Sequence, residues 1–167
     1  MPLNHPARFL VVFLLFLLGC ACLSAQSYHL TRHFTTEDGL AGTIARNGFM
    51  DSKGYLWIST FNGLSRYDGT TFKNYYHDPA DPTSLCWNST GGFAEDDAGH
   101  LWIATGKGLA MFDYVTESFS CYTNDPSDST SISGNLVQGV FQDSEKQLWV
   151  FTHSAGMNLF DKKTGTF

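Results

Sequence analysis

The stretch DSKGYLWIST, residues 51–60, returns as DDAGHLWIAT at 96–105 and as DSEKQLWVFT at 143–152. A unit that recurs at such spacing limits the fold more than any composition does, because each copy must build the same local structure and pack on its neighbour. Trp102 lies 45 residues after Trp57, and Trp149 lies 47 after Trp102. The agreement reaches well beyond the tryptophans. An aliphatic residue stands eleven positions before each leading aspartate (Leu40, Leu85 and Ile132 before Asp51, Asp96 and Asp143). A threonine follows each tryptophan at three residues, as Thr60, Thr105 and Thr152, and then Gly63-Leu64, Gly108-Leu109 and Gly156-Met157. An aromatic-aspartate pair comes next, and Phe72, Phe119 and Phe167 close the units. The connecting stretches match as well, HDPADPTSL at 77–85 against NDPSDSTSI at 124–132.

Each unit reads as four short strands. In the second, Thr90–Ala94 runs into the turn Asp96-Asp97-Ala98-Gly99, whose first and fourth residues suit a type I turn with a left-handed exit. His100–Thr105, Leu109–Asp113 and Ser118–Tyr122 supply the other strands. The first unit turns on Asn62-Gly63 and Asp68-Gly69, pairs suited to tight hairpins. Four-stranded units of this length in series predict an all-β chain, a β-propeller fragment of about three blades. The blades are expected at 37–84, 85–131 and 132–167, the third incomplete, after a lead-in at 26–36. A single four-stranded sheet cannot bury both faces, so Trp57, Trp102 and Trp149 are expected to fill the spaces between blades, with Gly63, Gly108 and Gly156 at the turns.

The N-terminus has a different character. Arg8 precedes the apolar run Phe9–Leu18, and small residues lead to Ser24-Ala25-Gln26. This predicts a secretory signal peptide at 1–25 cleaved near Ala25. The run is shorter than the roughly 20 residues of a spanning helix. Leu17-Leu18-Gly19-Cys20 offers a lipobox-like alternative that would lipidate Cys20. The rest of the chain is thus expected outside the cytoplasm. The net charge of −6 over all 167 residues and the lack of a basic stripe argue against nucleic acid as a partner. Cys86 and Cys121 are able to pair in an oxidising compartment, but no spacing rule joins them, and buried free thiols are the expected state.

Strand alternation puts the Thr-x-x-Gly loops and the long linkers on one face of the disc, where binding commonly resides. There the candidates for ligand contact are His77, Trp87, Asn88, Lys107 and His153. Trp87 stands where the next unit has Gly134, and serves either to stack on a sugar or to plug a gap between blades. Asn88 matches Asn135 and Thr43 in position, a recurrence that favours a turn or cap role. Catalytic, metal and cofactor signals are not found. The group Glu95, Asp96, Asp97 and His100 belongs to the repeating turn and lacks calcium-loop spacing. Asp78 and Asp81 suit an enzyme by place alone. A secreted propeller lyase or glycosidase, and a non-catalytic scaffold, stand as alternatives to a binding module.

In its Leu…Asp-x-x-Gly-x-Leu-Trp-Ile-x-Thr-x-x-Gly-Leu…Tyr/Phe-Asp…Phe pattern, residues 34–167 resemble the two-component regulator propeller repeat. The third unit departs from it, with Lys146 in place of the turn glycine and one extra residue before Gly156. The resemblance implies the N-terminal periplasmic sensor part of a hybrid two-component histidine kinase of Bacteroidetes type. It also implies a seven-bladed parent, an oligosaccharide ligand, a homodimer anchored in the inner membrane and a phosphorelay to polysaccharide-utilisation genes. The remaining parts of that polypeptide, further blades, a membrane helix and a kinase, would be its partners.

Overall fold

Alternating tight turns fold the chain into three antiparallel sheets, seen in a computed structural model that describes residues 32–167. The expected signal peptide, Cys20 and most of the lead-in lie outside the described residues. Phe34–Phe167 form one compact unit. The first sheet is β1 (Ala45–Met50), β2 (Leu56–Thr60), β3 (Gly63–Tyr67) and β4 (Phe72–Tyr75). The second is β5 (Thr90–Glu95), β6 (Leu101–Thr105), β7 (Gly108–Asp113) and β8 (Ser118–Tyr122). β9 (Val137–Gln142), β10 (Leu148–Thr152) and β11 (Met157–Phe160) make the third. Within each sheet, neighbours in sequence are neighbours in space. The first strands gather together, β1 against β5 and β5 against β9, so the sheets radiate from one side as propeller blades do.

The seams between blades follow from the period of two along each strand. On β6, Leu101 and Ile103 face back toward the first sheet, and Trp102 and Ala104 face forward to the third. The first seam packs Trp57, Leu64 and Tyr75 against Leu101, Ile103, Phe112 and Phe119. Trp102 and Leu109 meet Val140, Leu148, Val150 and Phe160 in the second. Trp57 is 0% exposed and Trp102 2%, each burial worth about 3 kcal/mol or less. Glycine permits the inner strands to approach: a Cβ on Gly92 would stand 3.4 Å from the Gly139 Cα.

The lead-in covers the outer strands on the far face of the first blade. Thr35 caps a short 3₁₀ turn at Thr36–Asp38, Phe34 packs on Tyr67 and Phe72, and the Ser65 hydroxyl accepts the Ala41 N–H at 2.9 Å. One expectation needs correction. Cys86 and Cys121 are joined in a disulfide with Cα atoms 5.6 Å apart, not left as free thiols. The linker brings them together: the Thr83 carbonyl accepts the Phe119 N–H at 2.8 Å along the edge strand β8. The third unit has three strands and an isolated Asp161–Thr166 bridge in place of the fourth. Phe167 still closes its blade, donating its N–H to the Thr130 carbonyl at 2.9 Å as Phe119 does to Thr83.

Candidate ligand-binding face

The 76–89 linker is shaped by its own aspartates. Asp78 Oδ1 accepts the Ala80 N–H and Asp81 Oδ1 the Thr83 N–H, two side-chain turns that Asp125 and Asp128 repeat in the 124–135 linker. The Thr83 hydroxyl and N–H hold Asp81 below the usual carboxylate range. Both acids are therefore engaged in loop geometry. The ends of the linker are tied by Asn88, whose Oδ1 accepts the His77 N–H at 2.7 Å and whose carbonyl accepts the Gly63 N–H at 2.7 Å. Asn135 makes the first of these bonds to Asn124 at 2.8 Å, so the recurrence of Asn at this position is a loop clasp. His77 Nδ1 lies 2.9 Å from the Leu85 carbonyl, a partner that can only accept, so in the neutral ring Nδ1 carries the proton.

Around this clasp the structure brings together four of the five candidates. Trp87 keeps 40% of its surface exposed, lies 5.4 Å from the His77 ring, and has the Lys107 ammonium 5.3 Å from its centroid. Its indole rests against Gly106, where a Cβ would come within 3.0 Å of Trp87 Cδ1. Beside the cluster a cleft of about 170 Å³ runs between His77, Pro79, Lys107 and the disulfide. His153 belongs to the third blade, where its Nδ1 lies 2.9 Å from Gln138 Nε2.

Two further polar side chains occupy the same end of the inner strands and escaped the sequence reading. Register shifts interrupt the pairing of β1 with β2 between Ala45 and Asn47, and of β10 with β9 between Phe151 and Thr152. Arg46 and Gln138 are the residues these bulges re-aim. The Arg46 guanidinium donates to the Thr90 carbonyl at 2.9 Å and covers the exposed Phe61 ring at 4.7 Å. A signal for them existed. Both stand five residues before a leading aspartate, where the second unit has Gly91. Chemically, the face offers two half-covered aromatic rings and two cations on a rigid rim.

The repeating tryptophans are built otherwise. Their indole N–H groups donate to the leading aspartates six residues earlier, at 2.7 Å for Trp57 to Asp51, 2.9 Å for Trp102 to Asp96 and 2.7 Å for Trp149 to Asp143. They hold blades together and are turned from solvent in the two covered seams.

Fold and site thus define an all-β array of propeller blades with its polar-aromatic loops on one face. No family model matches the chain. Among solved structures it is similar to the extracellular domain assigned to the hybrid two-component system BT3049 of Bacteroides thetaiotaomicron, at 32% identity and a TM-score of 0.75 over 81% of this chain and 19% of that one. The corresponding domain of BT4673 from the same organism is 27% identical, with a TM-score of 0.64 over 83% of this chain and 19% of that one. In sequence, 74 residues are 35% identical to histidine kinase P4 of Formosa agariphila, covering 44% of this chain and 5% of the kinase. The structural neighbours are extracellular domains of two-component systems, and the sequence relative is a histidine kinase. The chain spans about a fifth of the length of those domains.

Proposed function

We propose that this chain is an extracytoplasmic sensing module of a hybrid two-component histidine kinase, exported by its N-terminal signal, and that it takes an oligosaccharide on the loop face around Trp87. The observation that carries the sensor reading is the 32% identity across four-fifths of the chain to an extracellular domain of that class. The module itself is non-catalytic. It works joined to further blades, a membrane helix and a kinase, with the blades dividing at 37–84, 85–131 and 132–167 after a 26–36 lead-in. Sugar bound to one copy of a homodimer shifts its relation to the other, and the phosphorelay carries that shift to polysaccharide-utilisation genes.

The ligand reading is supported by Trp87, an aromatic face left partly open where the repeat calls for glycine. Such a ring covers the apolar face of a sugar, and Lys107 and His77 supply polar contacts beside it. His153 and Gln138 extend the face for a longer chain. The test is calorimetric titration of the full chain with a panel of neutral and acidic oligosaccharides. Trp87→Ala is expected to weaken the bound sugar about tenfold or more, the loss typical of an aromatic anchor. Binding that survives the substitution undiminished places the site elsewhere, and failure of every sugar removes the oligosaccharide reading.

A further inference from the structure

The two interblade seams share a frame but differ in what fills it. In the first, register pairs Trp57 with Arg66 and Arg66 with Lys73. The Arg66 guanidinium lies 4.6 Å from the Tyr55 ring, 5.7 Å from Trp57 and 5.8 Å from Tyr75, an aromatic box around a cation. Glu117 reaches across the seam to pair with it at 2.8 Å and also binds Lys73. Glu117 sits at a φ of 52°, a left-handed conformation costly to a non-glycine residue.

In the second seam the same register pairs Trp102 with Met111 and Met111 with Ser120. His100 stands for Tyr55 and Tyr122 for Tyr75, so the box persists in form. Its cation does not, because methionine replaces Arg66. The across-seam acid is gone with it: Gly165, at a φ of 73°, occupies the place of Glu117. What is left is a cleft of about 210 Å³ lined by His100, Trp102, Met111, Tyr122 and Phe160, with Asp96 on its wall. The Asp96 side chain is only 1% exposed. Burial alone would raise its pKa. The Trp102 indole N–H and the His100 donors outweigh that and hold the carboxyl below its usual range. Lys162 also lines the cleft, but its nearer partner is the exposed Asp97, at 2.5 Å against 4.0 Å for Asp96, and Gln142 braces Asp97 at 2.8 Å. The pair Asp96 and Asp97 therefore faces the single cation Lys162. Lys53, Arg66 and Lys73, which serve the first seam, have given way to Ala98, Met111 and Ser120.

We propose that the cleft between the second and third blades binds a small organic cation, a guanidinium or ammonium group on a short apolar body. Its head takes the place that Arg66 fills in the first seam, against Trp102 and Tyr122 and near the buried charge of Asp96, whose oxygens are also held by Ala98, His100 and Trp102, and its body packs on Met111 and Phe160. This site is distinct from the loop face and does not depend on the oligosaccharide reading. A ligand here touches both blades at once and so adds to the apolar packing and the Asp97 contacts that join them.

The test is titration of the full chain with methylguanidinium, followed by the indole N–H resonances in nitrogen–proton correlation spectra. A saturable shift of the Trp102 resonance is expected, with Trp57, whose box is already full, unmoved. Methylurea, the same shape without charge, should leave both unmoved. In Met111→Arg the site is filled from within, and affinity should fall about tenfold or more. The comparison of the two probes on the unsubstituted chain stands even if that variant fails to fold. Absence of saturation, equal movement of both indoles, or an equal response to methylurea would overturn the proposal.

Discussion

Each leading aspartate serves a turn and a seam together. Oδ1 of Asp143 accepts the N–H groups of Glu145 and Gln147, and Oδ2 accepts the Trp149 indole at 2.7 Å. The sequence made the turn legible, because Asp-x-x-Gly is a local signal. It hid the indole bond, which spans six residues across a hairpin and depends on the neighbouring strand for its geometry. The Trp149 N–H is the leading cause that holds Asp143 below the usual carboxylate range, and Asp96 is lowered as well. A depressed folded pKa adds stability that is complete above the ordinary value of about 3.9 and is lost as the pH falls through the folded value. The melting temperature should thus hold steady from neutral pH to about 5 and decline below about 4. Trp149→Phe keeps the ring and removes the N–H, so its acid decline should be shallower; an unchanged acid limb in thermal melts would show that the bond carries no such linkage. The third turn offers a second prediction. Lys146, at a φ of 67°, holds the place of Gly54 and Gly99, at 87° and 81°. Relief of left-handed strain is worth about 1–2 kcal/mol, against about 0.4–1 kcal/mol for the looser unfolded chain. Lys146→Gly should therefore stabilise the fold by about 0.5–1 kcal/mol in urea unfolding.

At the scale of elements, the strands of the second unit were read within a residue or two, since alternation and turn pairs are local. The bulges that aim Arg46 and Gln138 were not, because one extra residue leaves no mark on a hydrophobic pattern. The disulfide was missed for a related reason. Cys86 lies in a linker and Cys121 on an edge strand, 35 residues apart, and only the docking of Thr83 on Phe119 makes them neighbours. That docking also protects the outer edge of β8 from pairing with another chain. A cross-link closing a loop of this length restricts the unfolded chain by about 3–4 kcal/mol. Replacing both cysteines with serine should cost the fold that amount in denaturant unfolding. Dithiothreitol should bring the unsubstituted chain to the same stability and leave the double variant unaffected. A variant as stable as the parent would mean that linker and strand are already held by their backbone bonds.

Over the whole molecule the three blades do not end alike. The first turns its far face to the lead-in, where Phe34, Leu40 and Ala41 cover Tyr67, Phe72 and Ser65. The third leaves its forward face uncovered among the described residues. Register places Phe141 and Leu159 opposite Trp149, and Met157 opposite Phe151, all on the side that in the earlier blades is covered by the next sheet. Phe151 and Phe141 stack at 6.0 Å, and Met157 is 56% exposed. A contiguous apolar surface of this kind drives association. Over β1 and β2 the far face of the first blade is open too, with Met50 60% exposed. Copies of residues 1–167 taken alone can therefore stack third blade on first, a contact that the further blades proposed above would replace in a longer protein. Sedimentation of residues 1–167 alone should then show concentration-dependent association. Phe151→Lys with Met157→Lys should abolish it without lowering the melting temperature, since both side chains are exposed and contribute little to the seams. Residues 1–167 that stay monomeric at high concentration would contradict this reading of the bare face.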